Sequence, residues 1–299
     1  MLKRVAVYLS FVRFSHSVFA LPFALAGALL AAEHVPGNPG NPGNLGNLEN
    51  SITWGTIGWI LVAMVAARSA AMGFNRLVDA RFDALNPRTA NRELPRGAMS
   101  RAEAAAFVAI TSALFLFAAS RLNPLCFMLS PVALAIVFWY SLAKRFTTWA
   151  QLFLGLAMAV APVGGWLAVG GRGGWEPWLL ALAIGTWVGG FDVLYACQDL
   201  DFDRAHGLRS IPVRYGVPLA LALSRVMHVV TIVGLVGLSF VKPLGLIYLT
   251  GVAVVAALLA YEQSLVRADD LSQVKRAFDL NGYVGIFYLL VLVVSLYGQ

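Results

Sequence analysis

Nine runs of about 18 or more predominantly apolar residues divide this chain, at roughly 14–32, 52–74, 103–121, 124–143, 150–169, 178–198, 216–239, 243–262 and 280–297. A lipid-exposed segment has no water to satisfy its backbone N–H and C=O groups. Runs of this length therefore span a membrane as helices. The pattern predicts an all-α polytopic membrane protein. With 59% hydrophobic and 12% charged residues and a mean hydropathy of +0.74 over 299 residues, a soluble domain of this size is excluded. Pro22, Pro131 and Pro162 fall inside the expected spans, where neighbouring helices can satisfy the freed carbonyls. Cys126 and Cys197 belong to neither a disulfide framework nor a metal motif.

The start of the chain has the outline of a secretory signal, with Lys3 and Arg4 before an apolar run that ends in small residues near Ala32. Arg13 and His16 interrupt that run, and many more spans follow. The reading is a first membrane helix preceded by a short interfacial stretch. Positive charge alternates across the connections. One side carries Lys3, Arg4 and Arg13, then Arg76, Arg81, Arg88, Arg92, Arg96 and Arg101. It also carries Lys144 and Arg145, then Arg204, Arg209 and Arg214, then Arg267, Lys275 and Arg276. The opposite side carries Arg121, Arg172 and Lys242. The positive-inside rule puts the N-terminus in the cytoplasm and, with an odd number of spans, the C-terminus across the membrane. The Gly/Asn/Pro-rich stretch 36–50 is expected to be a flexible non-cytoplasmic loop.

The longest polar connections fall on the cytoplasmic side, and two carboxylate motifs lie there. The first is Asn75-Arg-Leu-Val-Asp79-Ala-Arg-Phe-Asp83. On a helix its i, i+4, i+8 spacing keeps the three side chains within an arc of about 80°, while the rise of about 12 Å is too long for one ion to bind all three. Asn75 and Asp79 can share a Mg²⁺, with Asp83 reaching it through water or holding a second. A solvated helix end, with Arg76 and Arg81 neutralising the acids, has the same spacing. The second motif runs from Asp192 through Tyr195 to Asp199 and Asp203 and repeats the i, i+4 step. Asp201 points elsewhere. An acid within an apolar run costs roughly 2.5–3.5 kcal/mol near the membrane centre, which makes Asp192 a functional candidate.

Carboxylates that converge repel one another unless a cation intervenes. Two such pairs suggest two Mg²⁺ positions facing each other, with an anionic diphosphate between them. Arg68, Lys144 and Arg145 are candidates for direct contacts to it, and Tyr140, one turn before Lys144, for a hydrogen bond or a ring face. Tyr140 and Lys144 also suit an aromatic belt with its interfacial cation.

These motifs resemble the UbiA superfamily of intramembrane aromatic prenyltransferases. The likeness rests on Asn75-x-x-x-Asp79-x-x-x-Asp83, Tyr140-x-x-x-Lys144, and Tyr195-Ala-Cys-Gln-Asp199-x-x-x-Asp203 followed by Gly207 and Ser210. It covers nearly the whole chain and implies a single domain over 1–299, bundled around a central cavity with cytoplasmic caps. It also implies an enzyme, a polyprenyltransferase, that moves a polyprenyl group from an allylic diphosphate to an aromatic ring with Mg²⁺ as cofactor. The resemblance gives Asn75, Asp79, Asp83, Asp199 and Asp203 the metal–diphosphate role and Tyr140 and Lys144 diphosphate contacts, and Arg68 matches a basic position before the first motif. Asp192 matches an acidic position of the family and is read here as orienting a ligand or acting as base.

The 4-hydroxybenzoate members of that family open their first span with an Arg-x-Asp-x-Pro-Ile-Gly type sequence. This chain reads Arg13-Phe-Ser-His16-Ser-Val-Phe-Ala-Leu-Pro-Phe23 and lacks the acid and the Pro-Ile-Gly step. With Asn86-Pro-Arg88-Thr and Arg92-Glu-Leu-Pro95, that opening is similar to the group assigned to menaquinone synthesis by the futalosine route. The expected acceptor is therefore 4-hydroxybenzoate or 1,4-dihydroxy-6-naphthoate. Arg13 or Arg68 would contact its carboxylate, and His16 is a further candidate contact. The expected setting is a bacterial inner membrane; no nucleic acid partner is expected. A haem- or chlorophyll-type acceptor is an alternative within the family. A transporter or Mg²⁺ channel is the alternative outside it, but a channel needs polar residues along its whole length and the acids cluster at one end.

Overall fold

The computed structural model describes residues 2–12, 20–34 and 52–298. Its helices are α1 (Leu2–Phe11), α2 (Leu21–His34), α3 (Trp54–Leu85), α4 (Arg101–Leu122), α5 (Pro124–Phe146) and α6 (Ala150–Ala168). They continue with α7 (Glu176–Ala196), α8 (Leu200–Ala205), α9 (Ile211–Val241), α10 (Gly245–Ser264) and α11 (Val274–Tyr297). A 3₁₀ turn, Cys197–Asp199, joins α7 to α8. Among the described residues there is no strand. Eight helices among the described residues are long and apolar enough to cross a membrane.

The interfacial stretch expected at the start is a helix, α1. The span expected over 14–32 appears as the shorter apolar helix α2; residues 13–19, with Arg13 and His16, lie outside the described residues, as does the 36–50 loop. Pro22 sits in the first turn of α2, where its missing N–H is harmless, and not in a helix interior. Pro131 and Pro162 are interior, in α5 and α6.

Helix starts follow side-chain chemistry. Ser100 and Glu103 close a reciprocal capping box at α4, and Asn123 caps α5 by accepting from the Cys126 N–H at 2.9 Å. The largest departure from the expected spans is α3, which runs eleven residues past 74 to Leu85. Hydropathy marks immersion in lipid, and the helix continues beyond it as a polar extension that carries the first motif.

Small residues set the helix spacing. A Cβ on Gly165 would stand 1.9 Å from the Ala24 carbonyl oxygen, and one on Gly27 2.0 Å from that of Pro162, so α2 and α6 touch backbone to backbone. Gly155 meets Gly185 in the same way, at 2.2 Å, between α6 and α7. Gly216, at φ +80°, breaks α9 so that its first turns lie at an angle to the rest.

Candidate active site

Two chambers meet inside the bundle. The polar one, of 290 Å³, lies under the α3–α4 connection and the α7–α9 connection. The larger, of 680 Å³, is lined almost wholly by apolar side chains of α2 to α7, with Met227 of α9. Arg68, Tyr140, Leu154 and Met158 line both and form the neck between them.

The polar chamber is built from faces of three helices. From α3 come Arg68, Met72, Asn75, Asp79, Phe82 and Asp83, spaced in threes and fours as one helical face demands. From α5 come Tyr140, Ser141, Lys144 and Arg145. From α7 and its continuation come Phe191, Asp192, Tyr195, Asp199 and Asp203. The α3–α4 connection folds over the top with Asn86, Arg88, Thr89 and Arg92, and Phe278 of α11 completes a side wall.

Asp79, Asp83, Asp199 and Asp203 are each paired with a base. Arg145 donates to Asp79 at 3.1 Å, and Arg92 donates to both oxygens of Asp83 at 2.7 and 2.8 Å. Arg88 grips Asp199 with Nε at 3.1 Å and Nη2 at 2.6 Å, and Lys144 reaches Asp203 at 3.2 Å. Asn75 donates to Asp79 at 3.1 Å. The guanidinium of Arg88 also lies over the Tyr195 ring, 5.2 Å from its centroid, and donates to the phenol oxygen at 2.8 Å. Burial works against the charge of Arg88, but Asp199 and Tyr195 overcome it and hold the group above its ordinary range.

Five acids (Asp79, Asp83, Asp192, Asp199, Asp203) thus face five bases (Arg68, Arg88, Arg92, Lys144, Arg145). That balance decides what can enter. A diphosphate alone would leave the chamber strongly negative, whereas one accompanied by divalent cations leaves its charge close to neutral. The donor set fits Mg²⁺ held in this shared way. It consists of hard oxygens, and among the described residues no three His, Cys, Asp or Glu side chains form a protein-only cage. Mg²⁺ commonly takes one or two carboxylates and completes its shell with water and phosphate oxygens. The Nε atoms of Arg92 and Arg145 are buried with no hydrogen-bond partner among the described residues, which leaves donors for an anion.

The structure therefore brings together eleven residues singled out from sequence: Arg68, Asn75, Asp79, Asp83, Tyr140, Lys144, Arg145, Asp192, Tyr195, Asp199 and Asp203. Asp201 is exposed, as expected. His206 is exposed as well, stacked on Phe202 at 4.0 Å. Sequence reasoning missed Asn86, Arg88, Thr89 and Arg92 as site residues. The available signal was an arginine-rich connection directly after a carboxylate motif. For Phe278, Phe191 and Phe202 no local signal exists.

Beyond Arg68 and Tyr140 at the neck, Ser130 and Thr186 are the polar side chains among the described residues that line the apolar chamber. Along α5 it extends from Tyr140 to Cys126, roughly 21 Å at helical rise. Leu129, Leu156, Trp178 and Leu182 line it and are also exposed on the outer surface of the bundle, so its flank is open toward lipid.

The UbiA prenyltransferase family matches residues 20–291. The 4-hydroxybenzoate octaprenyltransferase of Vibrio parahaemolyticus serotype O3:K6 is 31% identical over 243 residues, covering 81% of this chain and 85% of that protein. The 4-hydroxybenzoate octaprenyltransferase of Citrobacter koseri is 31% identical over 244 residues, covering 80% and 84%. Among solved structures, the apo form of a UbiA homolog from Aeropyrum pernix K1 superposes with a TM-score of 0.81 at 35% identity, over 93% of this chain and 97% of that one. A UbiA homolog from Archaeoglobus fulgidus bound to GPP and Mg²⁺ shares the fold, with a TM-score of 0.68 at 18% identity over 96% and 100%.

Proposed function

Because this chain belongs to the UbiA prenyltransferase family, we propose that it transfers a polyprenyl group from an allylic diphosphate to a hydroxylated aromatic carboxylate, in quinone biosynthesis. The chain is a multi-pass membrane protein. In this reading it acts as one domain in a bacterial inner membrane, N-terminus and polar chamber on the cytoplasmic side. The observation that carries the reading is the joint chamber. A charged compartment sized for a diphosphate opens through the Arg68–Tyr140 neck into an apolar one suited to a prenyl tail.

Mg²⁺, when bound by Asn75, Asp79, Asp83, Asp199 and Asp203 together with the diphosphate, spreads the leaving group's charge. Lys144, Arg145, Arg88 and Arg92 are placed to donate hydrogen bonds to its oxygens as the allylic C–O bond breaks and the electron pair leaves with the diphosphate. Tyr140, Tyr195, Phe191 and Phe278 surround the allylic cation with ring faces and keep water away. The acceptor ring attacks, a C–C bond forms, and the ring proton goes to a base. Asp192 lies deeper than Asp199, lines the same chamber, and has no hydrogen-bond or ion-pair partner among the described residues, so it is our candidate for that base or for orienting the phenol. Arg68 at the neck is our candidate contact to the acceptor carboxylate, with Arg13 and His16 as further candidates from sequence.

The named relatives favour 4-hydroxybenzoate. The changed opening from Arg13 to Phe23 favours 1,4-dihydroxy-6-naphthoate. A competition between the two acids, with Mg²⁺ and one long prenyl diphosphate and products weighed by mass spectrometry, separates them. Prenylated benzoate is the outcome expected from the relatives, and prenylated naphthoate makes the first-span opening the specificity element. No transfer to any hydroxylated aromatic acid would refute the reading.

A further inference from the structure

Arg92 and Glu93 are consecutive, yet they face opposite sides of the α3–α4 connection. Arg92 turns inward to Asp83. Glu93 turns away from the chamber, is only 3% exposed, and is held from two directions. One carboxylate oxygen pairs with Arg76 of α3, and the other accepts from Ser10 Oγ of α1 at 2.5 Å. The Glu93 backbone carbonyl accepts from the N–H groups of Ala98 and Met99 at 2.9 and 3.2 Å, closing the connection on itself. Arg76 lies over the Phe11 ring at 5.7 Å, and Phe11 packs edge-on to Phe107 of α4 at 5.8 Å. Phe11 and Val12 form a small separate core with Met99 and Ala104. The connection that carries Arg88 and Arg92 is thus anchored from behind by α1, through one buried carboxylate.

A buried carboxylate with two partners is costly to form and costly to break. Removing one member leaves the other charge uncompensated. Such a pair contributes less to net stability than to fixing one arrangement, and the arrangement fixed here is the peptide that carries Arg92. A loop freed at Glu93 would let Arg92 and Arg88 drift from Asp83 and Asp199 without altering α3 or α7.

We propose that Glu93, braced by Ser10 and Arg76, is a positioning residue for diphosphate binding, and that α1 is thereby part of the active-site cap. The proposal rests on the diphosphate reading of the polar chamber. Its test uses the full chain in detergent, with Ser10→Ala and Glu93→Gln. Amide hydrogen exchange over 86–100 is followed first, without ligand. Calorimetric binding of inorganic pyrophosphate with Mg²⁺ follows, then KM for prenyl diphosphate and for the aromatic acid.

Both variants should exchange faster across 86–100 and bind pyrophosphate on the order of tenfold more weakly, as loss of a supporting contact to a ligating group typically does. The KM for prenyl diphosphate should rise while that for the acceptor holds, a split that general destabilisation would not produce. Ser10→Ala keeps the buried Arg76–Glu93 pair and decides the matter if Glu93→Gln does not fold. Unchanged exchange, or unchanged pyrophosphate affinity, in folded Ser10→Ala would overturn the brace. Failure of the unaltered chain to bind pyrophosphate with Mg²⁺ would instead overturn the diphosphate reading, and the exchange data would still judge the brace.

Discussion

Arg88 and Asp199 stand 111 residues apart in the chain and meet in a two-pronged ion pair, Nε at 3.1 Å and Nη2 at 2.6 Å. The contact joins the two caps of the polar chamber, because Arg88 belongs to the α3–α4 connection and Asp199 to the 3₁₀ turn after α7. A second tie runs alongside it. The Arg209 N–H donates to the Lys144 carbonyl at 2.7 Å, and its side chain to the Phe146 carbonyl at 2.8 Å, fixing the α7–α9 connection to the end of α5. The chamber is therefore closed by polar contacts between its own charged walls, and those contacts involve the groups a diphosphate and its cations would engage.

Arg88→Lys should separate geometry from charge. Lysine keeps the charge but cannot form the two-pronged grip on Asp199 or lie flat over the Tyr195 ring. With Arg88 about one-third exposed, solvent moderates the loss. A rise of roughly tenfold in the KM for prenyl diphosphate is expected, with a smaller change in kcat. A KM equal to that of the unaltered chain would remove Arg88 from the diphosphate site.

Asp79→Ala and Asp199→Ala should each reduce transfer by on the order of a hundredfold or more while the protein stays folded in detergent. The two acids lie on opposite walls, so each loss strands a different base, Arg145 or Arg88. Pyrophosphate binding to the unaltered chain should vanish with EDTA, since the balanced chamber accepts a diphosphate only with its cations. Retained transfer in both variants, measured beside circular dichroism and melting curves, would sink the assignment of two metal positions.

The convergence of the carboxylates was legible because helical periodicity is local. Asp79 and Asp83, like Asp199 and Asp203, are four residues apart, and four residues is one turn. The membrane helices were legible for the same reason. Arg88 and Arg92 were not read as site residues, because positive charge beside a membrane has a second explanation, the positive-inside bias, and only the folding of the connection back over the chamber separates the two. Phe278 lies between Arg276 and Asp279, just before the apolar run that begins near 280, with no motif around it to mark a site; its place in the wall depends on how α11 rotates against α7. The polar end of α3 was cut short because hydropathy stops at the membrane surface while the helix does not.

Gly165→Ala should destabilise the bundle. The added Cβ would meet the Ala24 carbonyl oxygen at 1.9 Å, and that atom is backbone on a neighbouring helix, unable to swing aside. The cost is expected at about 1–3 kcal/mol, the usual range for overpacking. A lower midpoint for thermal inactivation in detergent would register it. Gly164→Ala is the control, since a Cβ there meets nothing within 4 Å. Equal midpoints for the two variants would contradict the close α2–α6 contact.

The apolar chamber makes a prediction about the donor. Ala119 is 3% exposed and lines it on α4, beside Leu122 and Cys126, at the end farthest from the Arg68–Tyr140 neck. A phenylalanine there adds a ring where the terminal isoprene units of a long chain would lie and leaves the polar chamber untouched. With a short and a long prenyl diphosphate offered together, Ala119→Phe should shift the product ratio toward the short chain. A shift of about tenfold corresponds to roughly 1.4 kcal/mol of selective crowding, within the range for one misplaced side chain. The kcat with the short donor should stay near that of the unaltered chain, because Ala119 does not line the polar chamber. If the product ratio does not move, the tail does not occupy this chamber. It would then have to leave the neck directly between Leu156 and Leu182, where the flank is open to lipid.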